Sequence, residues 1–423
     1  MHFNFAVILI FLSVVSSTTL GQEDTTEYWM NSAQNAFKNG SYDSAIQSVD
    51  RAVSIDSQNA TIWTIKGLIN EVMGRYQEAI DSYNRSLEIN SQDANVWSAK
   101  ATVQKNLNQT NESLQSYDRA IEIDPQNEGL WYDKGATLLM AKRYDEAILC
   151  FDEAIRLNSS WPWPWYNRGM ALEKSGRYDE ALRAYENATD LDPNYMKAWS
   201  EKGTILAGMG RFEEALVAFE RAVEIDPQDA ISLSNKARAL LDLKRYDQAV
   251  QAYDDALAID PGNPASWYSK GIALASLGRY GDSLLALNQC LNISPHSTQA
   301  WYAKAAALNG MGETDQAYDA WLSYQELAYS HIKFSDNSGR SMEDAIVIMN
   351  AAGETDGVGS EYYYLAKKFG EKGVDWDLVE QSVSGKDGRD YDEMDIKLAS
   401  GEEMTIYFDI TDFYGKWLEG LVL

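Results

Sequence analysis

The sequence predicts an all-α solenoid of nine helix-turn-helix units over residues 26–331, followed by a small α+β domain with an antiparallel meander over residues 342–423. Three observations carry that prediction. First, Trp29, Trp63, Trp97, Trp131, Trp165, Trp199, Trp267 and Trp301 fall on one 34-residue ruler, and the missing rung holds the large apolar Leu233. A period of this length marks stacked identical units rather than one closed core. Second, other fixed places in the period alternate between small and large side chains. Third, the period ends after His331, and apolar alternation of period two takes over.

With the tryptophan at place 4, units start at Thr26, Ala60, Ala94, Glu128, Pro162, Met196, Ala230, Pro264 and Thr298, with no insertions. Place 20 is Ala or Ser throughout, from Ala45 to Ala317, so that two helices can approach closely. Place 24 is large, as in Tyr83, Tyr117, Phe151, Tyr185, Phe219 and Tyr253, and fills the space toward the next unit. Place 27 returns to small, from Ala52 to Cys290. Pro125, Pro193, Pro227, Pro261 and Pro295 at place 32 end the second helix, because proline cannot continue the hydrogen-bond ladder. Gly74-Arg75-Tyr76, Lys142-Arg143-Tyr144 and Gly176-Arg177-Tyr178 mark the inner turn. Each unit is therefore a helical hairpin.

Tryptophan at place 4, Gly or Ala at 8, Ala at 20, an aromatic at 24, Ala at 27 and Pro at 32 closely resemble the tetratricopeptide repeat family, over roughly residues 26–331. Units one and nine deviate, as terminal units that meet water do. The resemblance implies a right-handed superhelix whose first helices line a concave groove, and protein or peptide recognition rather than catalysis. It also implies that places 2, 5, 9 and 12 face that groove. Carried over, these places nominate Tyr132, Trp163, Tyr166, Met170, Arg238, Tyr268 and Tyr302 as partner-binding residues. No unit pairs Lys at place 5 with Asn at place 9, the combination with which family members grip the acidic tails of heat-shock chaperones, so co-chaperone function is excluded. In Trp161-Pro162-Trp163-Pro164-Trp165-Tyr166 the prolines suit a first helical turn. Trp163 and Tyr166 are either an aromatic platform for an extended peptide or a sugar, or a packed patch between units.

The formal net charge of −28 excludes nucleic-acid backbones and anionic membrane surfaces as partners. Cys150 and Cys290 stand four units apart, too far for a disulfide in a stack whose units touch only neighbours. The first 21 residues lack Asp, Glu, Lys and Arg and contain the apolar run 6–15, which reads as a signal peptide, with an uncleaved N-terminal anchor as the second reading. Residues 22–25 form a short linker. Eight N-x-[ST] acceptors, Asn39, Asn59, Asn84, Asn108, Asn111, Asn158, Asn187 and Asn292, agree with a secreted or cell-surface location. Membrane contact is expected only through the leader.

Residues 332–341 read as a Gly/Ser/Asp-rich linker. Beyond it a helix is expected over 357–370 and strands over 376–384, 392–398 and 404–410, with Met404, Ile406, Phe408 and Ile410 on one face. This piece resembles a module that follows such arrays in exported archaeal proteins. Asp387, Asp390, Asp392, Glu393 and Asp395 miss the spacing of a calcium loop. Three histidines, no phosphate loop and no nucleophile elbow leave no catalytic, metal or cofactor motif. The sequence therefore predicts a non-enzymatic exported adaptor that takes a protein or peptide in an aromatic groove. The alternatives are a carbohydrate- or cell-wall-binding surface protein and a hydrolytic activity in the C-terminal domain.

Overall fold

The computed structural model describes residues 25–330, 333–342, 345–349, 354–386, 389–410 of the chain. The predicted leader lies outside them, as does Asp387. The chain divides into two compact units between Ile225 and Asp226, at the join before the repeat whose ruler place holds Leu233.

The first unit holds six helical hairpins, from Thr26–Lys38 and Tyr42–Ile55 to Met196–Gly208 and Phe212–Ile225. The second holds three more, from Ala230–Asp242 and Tyr246–Ile259 to Thr298–Met311 and Thr314–Ala328, followed by the C-terminal piece. Each helix start and stop has a local cause. The side chains of Asn59, Asp93, Asn127, Asp229, Asn263 and Ser297 accept amide hydrogen bonds at the entries of first helices. The inner turn needs a left-handed residue, supplied by Gly74, Gly176, Gly210 and Gly278 at φ +72° to +76°. Asn108, Lys142 and Lys244 occupy the same turn at φ near +60°, where a side chain crowds its own backbone.

Inside a hairpin, place 8 of the first helix lies against the ring at place 24 of the second. A Cβ added to Gly169 would stand 2.6 Å from the Tyr185 ring, so glycine there lets the aromatic fill the gap. Between hairpins, the periodic tryptophan makes the joint. The indole N–H groups of Trp63, Trp97, Trp131, Trp165, Trp199, Trp267 and Trp301 each donate to the carbonyl six residues earlier, in the loop that ends the preceding repeat, at 2.9–3.2 Å. Lysines at place 7 cover six of these rings at 4.8–5.9 Å from the centroid. Lys66, Lys134, Arg168, Lys202 and Lys270 at that place pair with Asp50, Asp118, Asp152, Glu186 and Asp254 of the repeat before. Asn84 and Asn288 hold the acid's place before Lys100 and Lys304, whose ammonium pKa values burial lowers. Cys150 and Cys290 are buried free thiols, and burial pushes the Cys150 pKa up to about 11.

The C-terminal piece forms a mixed sheet in the order β1 (Lys333–Phe334), β2 (Ile346–Met349), β5 (Glu403–Asp409), β4 (Arg389–Leu398) and β3 (Trp376–Lys386). Strands β3 (Trp376–Lys386), β4 (Arg389–Leu398) and β5 (Glu403–Asp409) make the expected antiparallel meander. The sheet is larger than the sequence suggested. Strand β2 (Ile346–Met349) joins β5 in parallel, and β1 (Lys333–Phe334), within the stretch read as a linker, pairs antiparallel with β2. Runs of four and two residues are too short to show a period, and only a distant partner makes them strands. The helix Glu354–Phe369 packs Leu365 among Ile346, Ile348, Trp376, Met394, Ile396, Ile406, Phe408 and Ile410.

On the same helix, Glu361 is fully buried, and both its carboxyl oxygens and Asp392 Oδ1 lack a hydrogen-bond partner. Two facing carboxylates only accept; a proton on Glu361 turns it into a donor toward Asp392. Burial first, and then Asp392, push the Glu361 pKa up to about 10. In the fold Glu361 therefore holds a proton that the unfolded chain releases near pH 4.5.

Trp199→Ala is expected to cost about 3 kcal/mol and Trp199→Phe, which removes mainly the N–H donor, about 1 kcal/mol, measured by denaturant melts. Lys142→Gly is expected to raise stability by up to about 1 kcal/mol through relief of the left-handed backbone, read from the same melts. Because the folded Glu361 pKa lies above the unfolded value, its contribution to C-terminal stability is complete below about pH 4.5 and is lost as pH climbs toward 10. Glu361→Gln should flatten that decline in hydrogen exchange of β4 amides; an unchanged pH profile would refute the shared proton.

Candidate interaction face

Consecutive first helices touch within each unit: those of repeats two and three and of four and five in the first, and those of seven, eight and nine in the second. The places nominated for binding lie on these helices, and the two units present them differently.

In the first unit the entry rule is broken twice in succession. Trp161 and Tyr195 occupy the cap place before the first helices of repeats five and six, and neither side chain caps its helix. The other seven first helices have a capping Thr, Asn, Asp or Ser. The cap was exchanged for a ring contact at both positions. Trp161 lies on Tyr132 with centroids 4.8 Å apart, and Tyr195 lies on Tyr166 at 5.0 Å. Trp163 continues from Trp161 at 5.9 Å, and Tyr166 continues to Tyr185 at 5.8 Å. Asn167 Nδ2 donates to the Tyr132 hydroxyl at 2.9 Å, joining the two ring groups.

Of the nominated residues, Tyr132, Trp163 and Met170 are half-buried in this region. Tyr166 is only 9% exposed, so it supports the rings on either side instead of offering a free face. In the second unit Tyr302 is 59% exposed against Tyr324, Tyr268 is half-buried, and exposed Arg238 pairs with Asp242 at 3.2 Å. The rings of the second unit form no run comparable to that of repeats four to six among the described residues.

Trp161, Tyr195 and Tyr185 are part of the aromatic run and were not nominated. The signal was present at place 34, where a polar residue recurs until these two aromatics interrupt it. Places 6 and 12 also bring in charge. Glu71, Asp133, Glu173 and Glu201 are half-buried on first helices of the first unit. Desolvation raises the pKa values of Glu71, Asp133 and Glu201; Glu173 adds to the rise at Glu201, while Lys105 opposes it at Glu71 and Asp133. The Tyr83 and Tyr185 hydroxyls donate to Glu71 and Glu173 at 2.8 and 3.0 Å, which fixes these carboxylates. Half-buried carboxylates beside aromatic rings favour a cationic guest.

A cavity of about 490 Å³ opens beside Trp161, lined by Asp124, Asn127, Glu128, Gly129, Asn158 and that indole. Among the acceptor asparagines, Asn39, Asn108, Asn111, Asn187 and Asn292 are exposed, whereas Asn59, Asn84 and Asn158 are half-buried. Asn158 Nδ2 already donates to Glu128 at 3.2 Å. Among the described residues no three His, Cys, Asp or Glu side chains group as metal ligands, and no helix is long and apolar enough to cross a membrane.

Solved structures similar to this chain match it at low identity. They include the C-terminal part of a TPR repeat-containing protein from Cytophaga hutchinsonii (18% identity, TM-score 0.48, 55% of this chain and 96% of that one). A tetratricopeptide repeat protein from Parabacteroides merdae matches at 18% identity and TM-score 0.44, covering 60% of this chain and 100% of that one. YrrB, described as a TPR protein with an unusual peptide-binding site, matches at 22% identity and TM-score 0.40, covering 45% and 99%. No curated protein matches the chain. Tetratricopeptide repeat profiles match residues 30–94, 94–127, 116–148, 166–230, 206–271 and 240–301, and the chain belongs to the tetratricopeptide repeat family.

Proposed function

We propose that the chain is a non-enzymatic scaffold that binds a basic, extended segment of a protein partner on the first-helix face of repeats four to six. The observation that carries this reading is the exchange of two successive helix caps for Trp161 and Tyr195, set on Tyr132 and Tyr166. A cap is worth about 1 kcal/mol, and sequences break local rules of that size where function requires it. Glu173 and Glu201 beside these rings supply the charge that a Lys- or Arg-bearing segment needs, and rings and carboxylates together bind such side chains well. An adaptor of this kind needs no cofactor.

The charge-free leader and the exposed acceptor asparagines support a role outside the cell, with the uncleaved anchor as the second arrangement. The resemblance of the C-terminal piece to an archaeal module belongs to the same proposal. A carbohydrate ligand is the second reading, favoured by the Trp161 wall of the polar cavity at Asp124, Asn127 and Glu128. A C-terminal hydrolase is the weaker third.

Selection of a random peptide library on the full chain should enrich Lys- and Arg-containing segments. Trp161→Asn/Tyr195→Asp restores two caps and removes two ring pairs of similar worth, so its stability should stay within about 1 kcal/mol of the parent. The same library should show no enrichment on that variant; equal enrichment on both chains refutes the aromatic face. Retention of cell-wall polysaccharide by the parent alone, with no peptide enriched, would move the reading to the carbohydrate role.

A further inference from the structure

A second cavity, of about 420 Å³, lies where the end of repeat nine meets the C-terminal helix, lined by Tyr329, Ser330, Phe334, Tyr363, Tyr364 and the lysine pair 367 and 368. Its volume falls in the range of small-molecule sites. Its walls are aromatic and fixed by mutual packing: Tyr329 stacks on Tyr363 with centroids 5.9 Å apart, and Phe334 meets Tyr364 at 5.1 Å. The helix sets its two lysines one turn beyond two of these rings. Lys367 Nζ stands 5.6 Å from the Tyr363 centroid, and Lys368 Nζ stands 5.0 Å from that of Tyr364 and donates to its hydroxyl at 2.8 Å. Cations held over ring faces lose much of their freedom before any ligand arrives.

The pair sets two adjacent cations in an acidic surrounding. Residues 332–423 contain 20 acidic and nine basic side chains, and the chain as a whole carries −28. Several lysines of the array and Lys397 of the sheet rest on carboxylates, as Lys270 does on Asp254 and Lys397 on Glu403, whereas Lys100 and Lys304 lie singly over tryptophan rings. Lys367 and Lys368 form no ion pair among the described residues; rings and a phenol hydroxyl are their partners. Two adjacent cations at the edge of an aromatic cavity, with no carboxylate paired to them among the described residues, fit an anionic head on a flat apolar body. The field of a strongly acidic chain repels a polyanion at long range, which restricts the guest to a compact one.

We propose that the aromatic cavity walled by Tyr329, Phe334 and Tyr364 binds a small planar organic anion, with its carboxylate or phosphate on the ammonium groups of Lys367 and Lys368. This site is independent of the peptide face in the first unit.

The test is calorimetric titration of the full chain with 2-naphthoate, its uncharged counterpart 2-naphthylmethanol, and inorganic phosphate. The naphthoate should bind, and rising salt should weaken it. Lys367→Gln/Lys368→Gln should weaken it by about tenfold or more, and Lys367→Arg/Lys368→Arg should retain it. Near-UV circular dichroism verifies that the rings remain packed in both variants. Equal affinity for naphthylmethanol, undiminished binding to the Gln variant, absence of naphthoate binding, or phosphate binding as tightly as naphthoate would each overturn the proposal.

Discussion

The array depends on one recurring contact, the indole N–H of the place-4 tryptophan donating to the carbonyl of the loop that ends the preceding repeat. Seven such bonds at 2.9–3.2 Å recur through the two units. The contact has a short reach and two fixed partners six residues apart, so the loop between repeats must keep one length. Insertion of a single residue would turn the indole away from its acceptor. The constant length of the loops that these seven bonds span is therefore a geometric requirement of the joint. The same indole presents its face to a lysine, which in most repeats also reaches a carboxylate of the preceding hairpin. One residue thus brings together apolar burial, a backbone hydrogen bond and a cation, each modest alone.

Because the seven tryptophan joints are alike, departures from the pattern carry the information about function. Trp161 and Tyr195 give up a helix cap in consecutive repeats, and both rings come down on the place-5 tyrosine of their own repeat. Tyr166 illustrates how place in a repeat and availability differ. It occupies a groove-facing place by analogy with its family, yet Tyr185 and Tyr195 close over it. Its neighbours carry the exposed part of the surface, and Tyr166 holds them. Asp133 and Glu201 at place 6 belong to the same surface, and their raised pKa values reflect the desolvation that makes them good partners for a cation.

The C-terminal piece follows another logic. Its sheet closes around Trp376, Leu365 and Phe408, and its helix sets a buried Glu361 against Asp392 on the inner side and two lysines over tyrosine rings on the outer side. Neither feature derives from the repeat. Both depend on which strands meet that helix.

The sequence by itself determined the repeat count, the hairpins, the small-against-large packing and the meander, because these are local and periodic: a residue's role follows from its place, and repetition averages out chance. It also exposed the cap exchange at Trp161 and Tyr195, legible at place 34 although places 5 and 9 draw attention first. Only the tertiary structure decided that Tyr166 is covered, that Asn158 is already hydrogen-bonded, and that β2 joins β5 in parallel, pairing Ile346 with Phe408 far along the chain. It alone brought Glu361 to Asp392 and Lys367 to the cavity beside Tyr329. These are long-range juxtapositions that occur once each. A single sequence has no period to reveal them, and burial, which sets both the pKa of Glu361 and the freedom of Tyr166, is a property of the whole packing and not of any segment.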